Sequence, residues 1–309
     1  MNFALRSFLS AGMLAALAVT AHAKIERVIE KTFEVQPGGL VRVETSGGNI
    51  KVDPQAGNTV KVVARQRIRA SSERQADELL EKLELTIEQN STGVFARAKM
   101  NRSGWGNNPV QVNFDVIVPS NYNAELKTSG GNVELGDLAG KVNARTSGGN
   151  IVLGKITGDI DAGTSGGDIR LGEGAGSVRL NTSGGNIRVG RAVGPTDLDT
   201  SGGDIAVDTV ENTLRADTSG GNVTATFAGA IEADCDLSTS GGNVRAIVSK
   251  DAAFHLDAST SGGRVIAEGL TITLTGGGQG KNRLSGKVNG GGPVLKLRTS
   301  GGNVDVQTR

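Results

Sequence analysis

The sequence predicts an all-β fold, a repetitive β-solenoid or β-helix of about 18-residue two-strand coils. Three observations predict it. The tetrapeptide Thr-Ser-Gly-Gly recurs at Thr45, Thr128, Thr146, Thr164, Thr182, Thr200, Thr218, Thr239, Thr260 and Thr299. Its spacing is locked at 18 residues from Thr128 to Thr218, followed by two steps of 21 and one of 39, which equals one step of each kind. Apolar residues alternate with polar ones on both sides of every copy. A fixed period of this length is the mark of stacked repeats, in which neighbours bury what one repeat alone cannot.

The alternation defines the strands. Two residues past each Gly-Gly stands Ile50, Val133, Ile151, Ile169, Ile187, Ile205, Val223, Val244, Val265 or Val304. Two residues before each Thr stands Val43, Leu126, Ala144, Ala162, Leu180, Leu198, Ala216, Leu237, Ala258 or Leu297. Further apolar residues follow at period two in both directions, which is the signature of strands with one face buried. Each coil is therefore one strand into the corner and one strand out of it. Stacked coils pair at about 4.8 Å and merge their apolar columns into one core.

The corner glycines are the structural turn residues: Gly47 and Gly48, Gly130 and Gly131, Gly148 and Gly149, Gly166 and Gly167, Gly184 and Gly185, Gly202 and Gly203, Gly220 and Gly221, Gly241 and Gly242, Gly262 and Gly263, Gly301 and Gly302. A tight strand-to-strand turn needs positive φ, which glycine adopts without steric cost. The Thr is in phase with the buried columns, so its hydroxyl is expected to join a ladder between coils. A second set of glycines (Gly140, Gly158, Gly176, Gly194) marks the opposite corner. The 21-residue units are expected to carry three extra residues in one corner.

Two segments break the pattern. Between Thr45 and Thr128, residues 59–68, 83–87, 94–98 and 110–118 alternate as strands, and Ser72 with Gln75 forms a capping-box pattern before a helix that runs to Lys82. This reads as a small β-α-β cap over the core end. Glycine-rich loops at 276–280 and 290–293 flank strands expected to fold back as a second cap. The first 23 residues read as a signal peptide: Arg6, an apolar stretch over 8–19, and Ala21-His22-Ala23 as a small-x-small cleavage site. The expected division is 1–23 signal peptide, 24–123 N-terminal cap with a first repeat-like turn at 45–52, and 124–309 solenoid with its C-terminal cap. No second apolar stretch is long enough to span a bilayer.

Composition excludes several functions. The chain has 33 Lys and Arg against 32 Asp and Glu, and loss of Arg6 with the leader leaves 32 of each. Without a basic field it is no nucleic-acid binder. With 47 Gly, six Pro and recurring β-branched residues it is neither collagen nor disordered. One cysteine, Cys235, allows no internal disulfide. It lies in an apolar column and reads as a small core residue. His255 reads as a surface residue, and alone it builds no histidine-rich metal site. The residue after Gly-Gly is Asn in seven copies, Asp168 and Asp204 in two and Arg264 in one. Neutral amides are poor primary calcium ligands, so no cofactor is expected. Gly172-Glu173-Gly174-Ala175-Gly176 lacks the Lys-Ser/Thr pair and helix of a phosphate loop.

Outward carboxylates at Asp161, Asp197, Asp199, Asp217, Asp234, Asp236 and Asp257 could serve glycoside chemistry. Arg179 and Arg215 interleave with them, which reads better as cross-coil ion pairing. Trp105, in a glycine-flanked loop, is a candidate partner contact.

The copies of Leu-x-Thr-Ser-Gly-Gly-Asn-Ile-x-Leu/Val, preceded by a strand–helix–strand segment and a strand ending in Val118-Pro119, resemble a bacterial β-strand-repeat family of unknown function labelled "putative adhesin". The resemblance covers about 24–309. It implies an exported, envelope-associated repeat domain without agreed catalytic residues. The reading is a non-catalytic binding scaffold of the periplasm or cell surface, with an envelope protein or surface glycan as partner. Its alternatives are a β-helical carbohydrate-active lyase or hydrolase using the outward carboxylates, and a structural or sensory envelope-stress domain.

Overall fold

A computed structural model describes residues 24–100 and 109–309. The signal-peptide reading and Trp105 lie outside the described residues. The chain forms two long sheets face to face, one of strands that run into the corner tetrapeptides and one of strands that leave them. We call these the inbound and outbound sheets.

The N-terminal part comprises β1 (Lys24–Glu34), β2 (Leu40–Thr45), β3 (Ile50–Gln55), β4 (Thr59–Arg69), α1 (Glu73–Leu80), β5 (Leu83–Gln89), β6 (Gly93–Met100) and β7 (Val110–Pro119). Six coils follow in sequence order: β8 (Asn123–Thr128) with β9 (Val133–Leu135), β10 (Val142–Arg145) with β11 (Ile151–Ile156), β12 (Ile160–Thr164) with β13 (Ile169–Gly174), β14 (Val178–Thr182) with β15 (Ile187–Ala192), β16 (Thr196–Thr200) with β17 (Ile205–Val210), and β18 (Leu214–Thr218) with β19 (Val223–Phe227). The C-terminal part comprises β20 (Cys235–Thr239), β21 (Val244–Val248), β22 (Phe254–Thr260), β23 (Val265–Ala267), β24 (Ile272–Gly280), β25 (Arg283–Val288), β26 (Val294–Thr299) and β27 (Val304–Thr308).

The central coils pair in parallel with like residues aligned. Ile151 lies beside Ile169, which lies beside Ile187, and Ala162 beside Leu180. Every expected apolar column is buried there, so each side chain stacks on its counterparts in the coils on either side. The 21-residue units place their extra residues in the corner opposite the tetrapeptide, between β19 and β20 and between β21 and β22.

At both ends the stack departs from sequence order. The inbound sheet runs β24-β25-β22-β26-β20-β18-β16-β14-β12-β10-β8-β2-β6-β5. The outbound sheet runs β1-β4-β7-β3-β9-β11-β13-β15-β17-β19-β21-β27-β23. The last coil of the chain, β26–β27, is therefore inserted between the coils of Thr239 and Thr260. The 39-residue step contains the antiparallel hairpin β24–β25, not two regular coils. At the other end β6 and β7 form a coil without the tetrapeptide, outside the Thr45 coil, with Val43 beside Ala96 and Ile50 beside Phe114. Val265 and Ala267, expected in the core, are half-buried because β23 is the outermost strand of its sheet.

In the N-terminal part the strands and helix fall near the predicted positions, but β6 and β7, expected in the cap, belong to the stack. Ser72 caps α1 by accepting from Gln75 N at 3.2 Å, whereas the Gln75 side chain reaches Ser71. Strand β1 has no counterpart among the sequence-predicted strands. It pairs antiparallel with β4, and its core face carries Arg27 and Lys31, which break the apolar period. Arg27 pairs with Glu73 and Asp77 of α1 at 3.1 and 2.7 Å, and Lys31 Nζ donates to Ile87 O.

Candidate functional site

The tetrapeptide corners form a hydrogen-bonded spine. Nine of the ten tetrapeptide Thr hydroxyls donate to the carbonyl of the second glycine in the neighbouring coil, as Thr146 does to Gly131 at 2.8 Å and Thr182 to Gly167 at 2.9 Å, and Thr45, whose neighbouring coil has no tetrapeptide, donates to Val112 O at 3.0 Å. Those nine hydroxyls also accept from the second glycine N–H of their own corner, as Thr146 does from Gly149 at 3.3 Å. The expected ladder exists, and it is threaded through backbone carbonyls.

The glycines are needed for a different reason from the one their turn position suggests. None of the corner glycines has positive φ; among the described residues the glycines that do are Gly38, Gly57, Gly93, Gly269, Gly290 and Gly291. The second glycine of each corner is pressed against the neighbouring coil. A Cβ on Gly149 would sit 1.9 Å from Gly131 O, and one on Gly48 1.7 Å from Val112 O. The first glycine is far less confined: a Cβ on Gly130 meets nothing within 4 Å. Close approach of backbones requires the second glycine, and coil-on-coil hydrogen bonding is what enforces that approach.

The residue after Gly-Gly forms a parallel ladder. The Asn132 N–H donates to Asn49 Oδ1, Asn150 to Asn132, Asp168 to Asn150 and Asn186 to Asp168, at 2.8–2.9 Å. Asn113 of the coil without a tetrapeptide supplies the first acceptor, to Asn49 N. Arg264 N donates to Asn303 Oδ1 and ends the series, because a guanidinium has no acceptor to offer. The amide and carboxylate oxygens that a calcium β-roll would turn to metal are thus engaged between coils.

The candidate surface lies on the opposite edge. An open groove of about 1050 Å³ runs across the outer face of the inbound sheet from Leu40 to Arg215. Successive coils contribute Asn123 to Glu125, Lys141 to Asn143, Asp159 to Asp161, Ser177 to Arg179, and Pro195 to Asp197. The groove follows from the register: identical strand starts superpose, so the same outward position repeats at about 4.8 Å. Along that column Arg42, Glu125, Asn143, Asp161, Arg179, Asp197, Arg215, Asp236, Lys296 and Asp257 are neighbours in turn.

The column is ion-paired across coils in part, since Arg215 turns to Asp217 of its own strand and Asp161 is taken by Arg145 of the next column. Arg42 meets Glu125 at 2.7 Å, Arg145 meets Asp161 at 2.5 Å, Arg179 meets Asp197 at 3.6 Å and Lys296 meets Asp236. Lys141 lies 3.0 Å from Asp159 and, with the Ser177 N–H, holds that carboxyl below its ordinary pKa. Asp217 above all, with Asp197 and Asp236, keeps Arg215 charged. The carboxylates an enzyme would draw on are held by partners: Asp257 by Arg298, Asp234 by the Val294 N–H, and Asp217 by Arg215 and Ser238. Asp199 stands in the next outward column, in register with Asp217. Asp161 Oδ1, in the groove, is a buried side-chain oxygen without a hydrogen-bond partner.

Cys235 is buried in its column and accepts from Leu214 N. Burial pushes its thiol up to about 11. His255 is half-exposed on β22. Glu173, in the glycine-rich segment that faintly resembles a phosphate loop, is held in the ionised form chiefly by Lys155.

Stacked tetrapeptide coils closed by antiparallel strands define a β-solenoid repeat protein. The family model described as Toastrack DUF4097 matches residues 41–307, and the chain belongs to that family. A search of curated proteins finds no significant match. Among solved structures, a "putative adhesin" from Bacteroides fragilis is 12% identical with a TM-score of 0.44, over 91% of this chain and 97% of that one. A "putative adhesin" from Parabacteroides distasonis is 10% identical with a TM-score of 0.42, over 92% and 97%. A "putative lipid binding protein" from the same species is 10% identical with a TM-score of 0.38, over 90% and 96%. Likeness this distant carries no functional argument.

Proposed function

We propose that the chain is an exported, non-catalytic binding scaffold of the cell envelope, which receives an extended partner along the inbound-sheet groove. The observation that carries this reading is the groove itself, which is open and lined coil after coil by charged and polar side chains at a repeating position. Its repeat suits a linear partner with polar groups at similar intervals, such as a surface glycan or an extended segment of an envelope protein. The ion pairs that hold the outward carboxylates favour binding over turnover.

A groove-blocking variant tests this. Ser177 is exposed in the groove, so Ser177→Trp fills it without touching the core. Purified full chain is applied to arrays of cell-wall and acidic glycans and to envelope proteins. Retention that Ser177→Trp abolishes and Arg170→Ala, on the outbound face, preserves is the expected result. Retention that both variants share equally would remove the groove from the account. Glycan turnover lost in Asp197→Asn would instead establish the carbohydrate-active alternative.

A further inference from the structure

We propose that the C-terminal end of the stack seats on an anionic lipid bilayer, with the coils standing upright on it. Ion pairing divides the chain. Between residues 128 and 248 each of the nine Lys and Arg is paired with a carboxylate. Between residues 249 and 292 the five cations Lys250, Arg264, Lys281, Arg283 and Lys287 are exposed and form no ion pair among the described residues. The acids of that stretch do not cancel them. Asp257 is taken by Arg298, which leaves Asp251 and Glu268. The free cations gather where stacking stops. Arg264 holds the Asn position of the outermost coil. In the coils before it that side chain reaches toward the next coil, as Asn243 does to Asn303 N and Asn303 to Arg264 N. No tetrapeptide coil follows to receive Arg264, so the position delivers a cation to the end of the stack. Lys281 and Arg283 stand at the β24–β25 turn, which Val265 N joins to the Arg264 edge by donating to Lys281 O. Lys287 and Lys250 mark the opposite edge, where Asn289 Nδ2 donates to Lys250 O.

An apolar shelf lies between those two edges. Strands β25 and β24 carry the inbound sheet two strands past β22, whereas the outbound sheet ends at β23, which shares a coil with β22. The core face of the overhang therefore has no strand opposite. Leu274 is in register with Gly286, and Gly286 with the buried Leu256, so Leu274 is on that face, where it is 46% exposed. Ile272 and Leu284 lie half-buried beside it. Ile266, on the outermost outbound strand, is 38% exposed. Exposed apolar side chains ringed by unpaired cations select the occupant. A soluble polyanion answers the cations alone. An anionic bilayer answers both, because the apolar side chains enter the interface while lipid phosphates meet the cations. A second copy joined by the same end would set five free cations against five, which opposes that contact. Neither signal is strong alone, and stable anchoring at a bilayer takes two. The seat does not depend on the groove, which stays clear on the side of an upright stack.

Vesicle flotation with the purified full chain, expressed with its own leader, tests the proposal. The wild-type protein is expected to float with phosphatidylcholine vesicles that contain about one third phosphatidylglycerol, and less so in high salt. With phosphatidylcholine alone it is expected to stay in solution. Each cation near an anionic surface is worth about fivefold in affinity. Arg283→Ala is therefore expected to weaken binding about fivefold, and the triple change Arg264→Ala, Arg283→Ala and Lys287→Ala about a hundredfold. Leu274→Ser, at unchanged charge, is expected to weaken it about tenfold. Arg170→Ala, in the middle of the stack, is expected to bind as the wild type does. Unchanged thermal unfolding in the variants excludes misfolding as the cause. A wild-type protein that stays in solution with the anionic vesicles at low salt would overturn the proposal, as would full flotation of the triple variant. Complete competition by soluble polyglutamate, with Leu274→Ser bound as tightly as the wild type, would make the occupant an acidic protein and overturn the lipid seat.

Discussion

From Thr128 to Thr239 the chain stacks one coil on the next in the order it is written, whereas both ends are interlaced. The Thr45 coil lies between β6–β7 and β8–β9, and the Thr299 coil between the coils of Thr239 and Thr260. The difference shows what a repeat can and cannot do. In the middle, identical corners satisfy one another through the Thr hydroxyls, the close-packed second glycines and the Asn ladder. At an end there is no next copy, so the same corner would leave acceptors unused and a sheet edge open. The fold answers by clamping its outlying tetrapeptide coils from both sides and closing the stack with antiparallel strands. In the outermost tetrapeptide coil Arg264 replaces Asn and terminates the ladder.

The contrast is broken most forcefully through one column. Ile187 is 1% exposed between two like neighbours, whereas Val265 in the equivalent position of the outermost coil is half-buried. Ile187→Asp buries an unpaired charge and is expected to cost about 4 kcal/mol or more, and Val265→Asp about 1 kcal/mol. Denaturant unfolding of the two variants side by side checks this, and equal losses would remove the distinction between middle and end.

The corner offers the next contrast. Gly149→Ala forces a Cβ into the Gly131 carbonyl and is expected to cost about 3 kcal/mol. Gly130→Ala, in open space at ordinary φ, is expected to stay within about 0.5 kcal/mol. Thermal melts of the two variants measure the difference directly.

A smaller effect comes from Cys235. Its thiol is raised from an ordinary 9.0 to about 11 by burial. The unfolded chain releases that proton first as pH rises, so the associated stability is complete below pH 9 and is lost between pH 9 and 11. The loss is about 2 to 3 kcal/mol. Urea unfolding against pH is expected to show a shallower decline over that window in Cys235→Ala.

The smallest effect belongs to the ladder's end. Arg264→Asn changes an exposed side chain beyond the last bond and is expected to alter stability by less than about 0.5 kcal/mol. A large gain in melting temperature would mean that another partner sits beyond Arg264.

Much of this was legible in the sequence because the relevant signals are local. Period two around a fixed tetrapeptide sets strands, inward columns and register together, and all ten tetrapeptide corners obey it. The alternation of Arg179, Asp197, Arg215 and Asp236 foretells a charged outward column, although of these four only Arg179 and Asp197 pair with each other, Arg215 turning to Asp217 and Asp236 to Lys296. Stack order was hidden for the same reason: identical corners satisfy one another in any order. Arg264 was the available signal, since a residue that cannot accept marks the end of an acceptor ladder. Strand β1 was hidden because Arg27 and Lys31 occupy core-face positions and interrupt the apolar period. The role of the second glycine was hidden because backbone crowding between coils leaves no trace in local turn propensity.

Stack order can be read by disulfide trapping on the outward column, since adjacent strands bring Cα atoms within bonding reach and strands two apart do not. In a Cys235→Ala background, the interlaced order predicts that oxidation links Asp236→Cys with Lys296→Cys, and Lys296→Cys with Asp257→Cys, and leaves Asp236→Cys with Asp257→Cys unlinked. Ready linkage of the 236 and 257 positions, with 296 linked to neither, would contradict it.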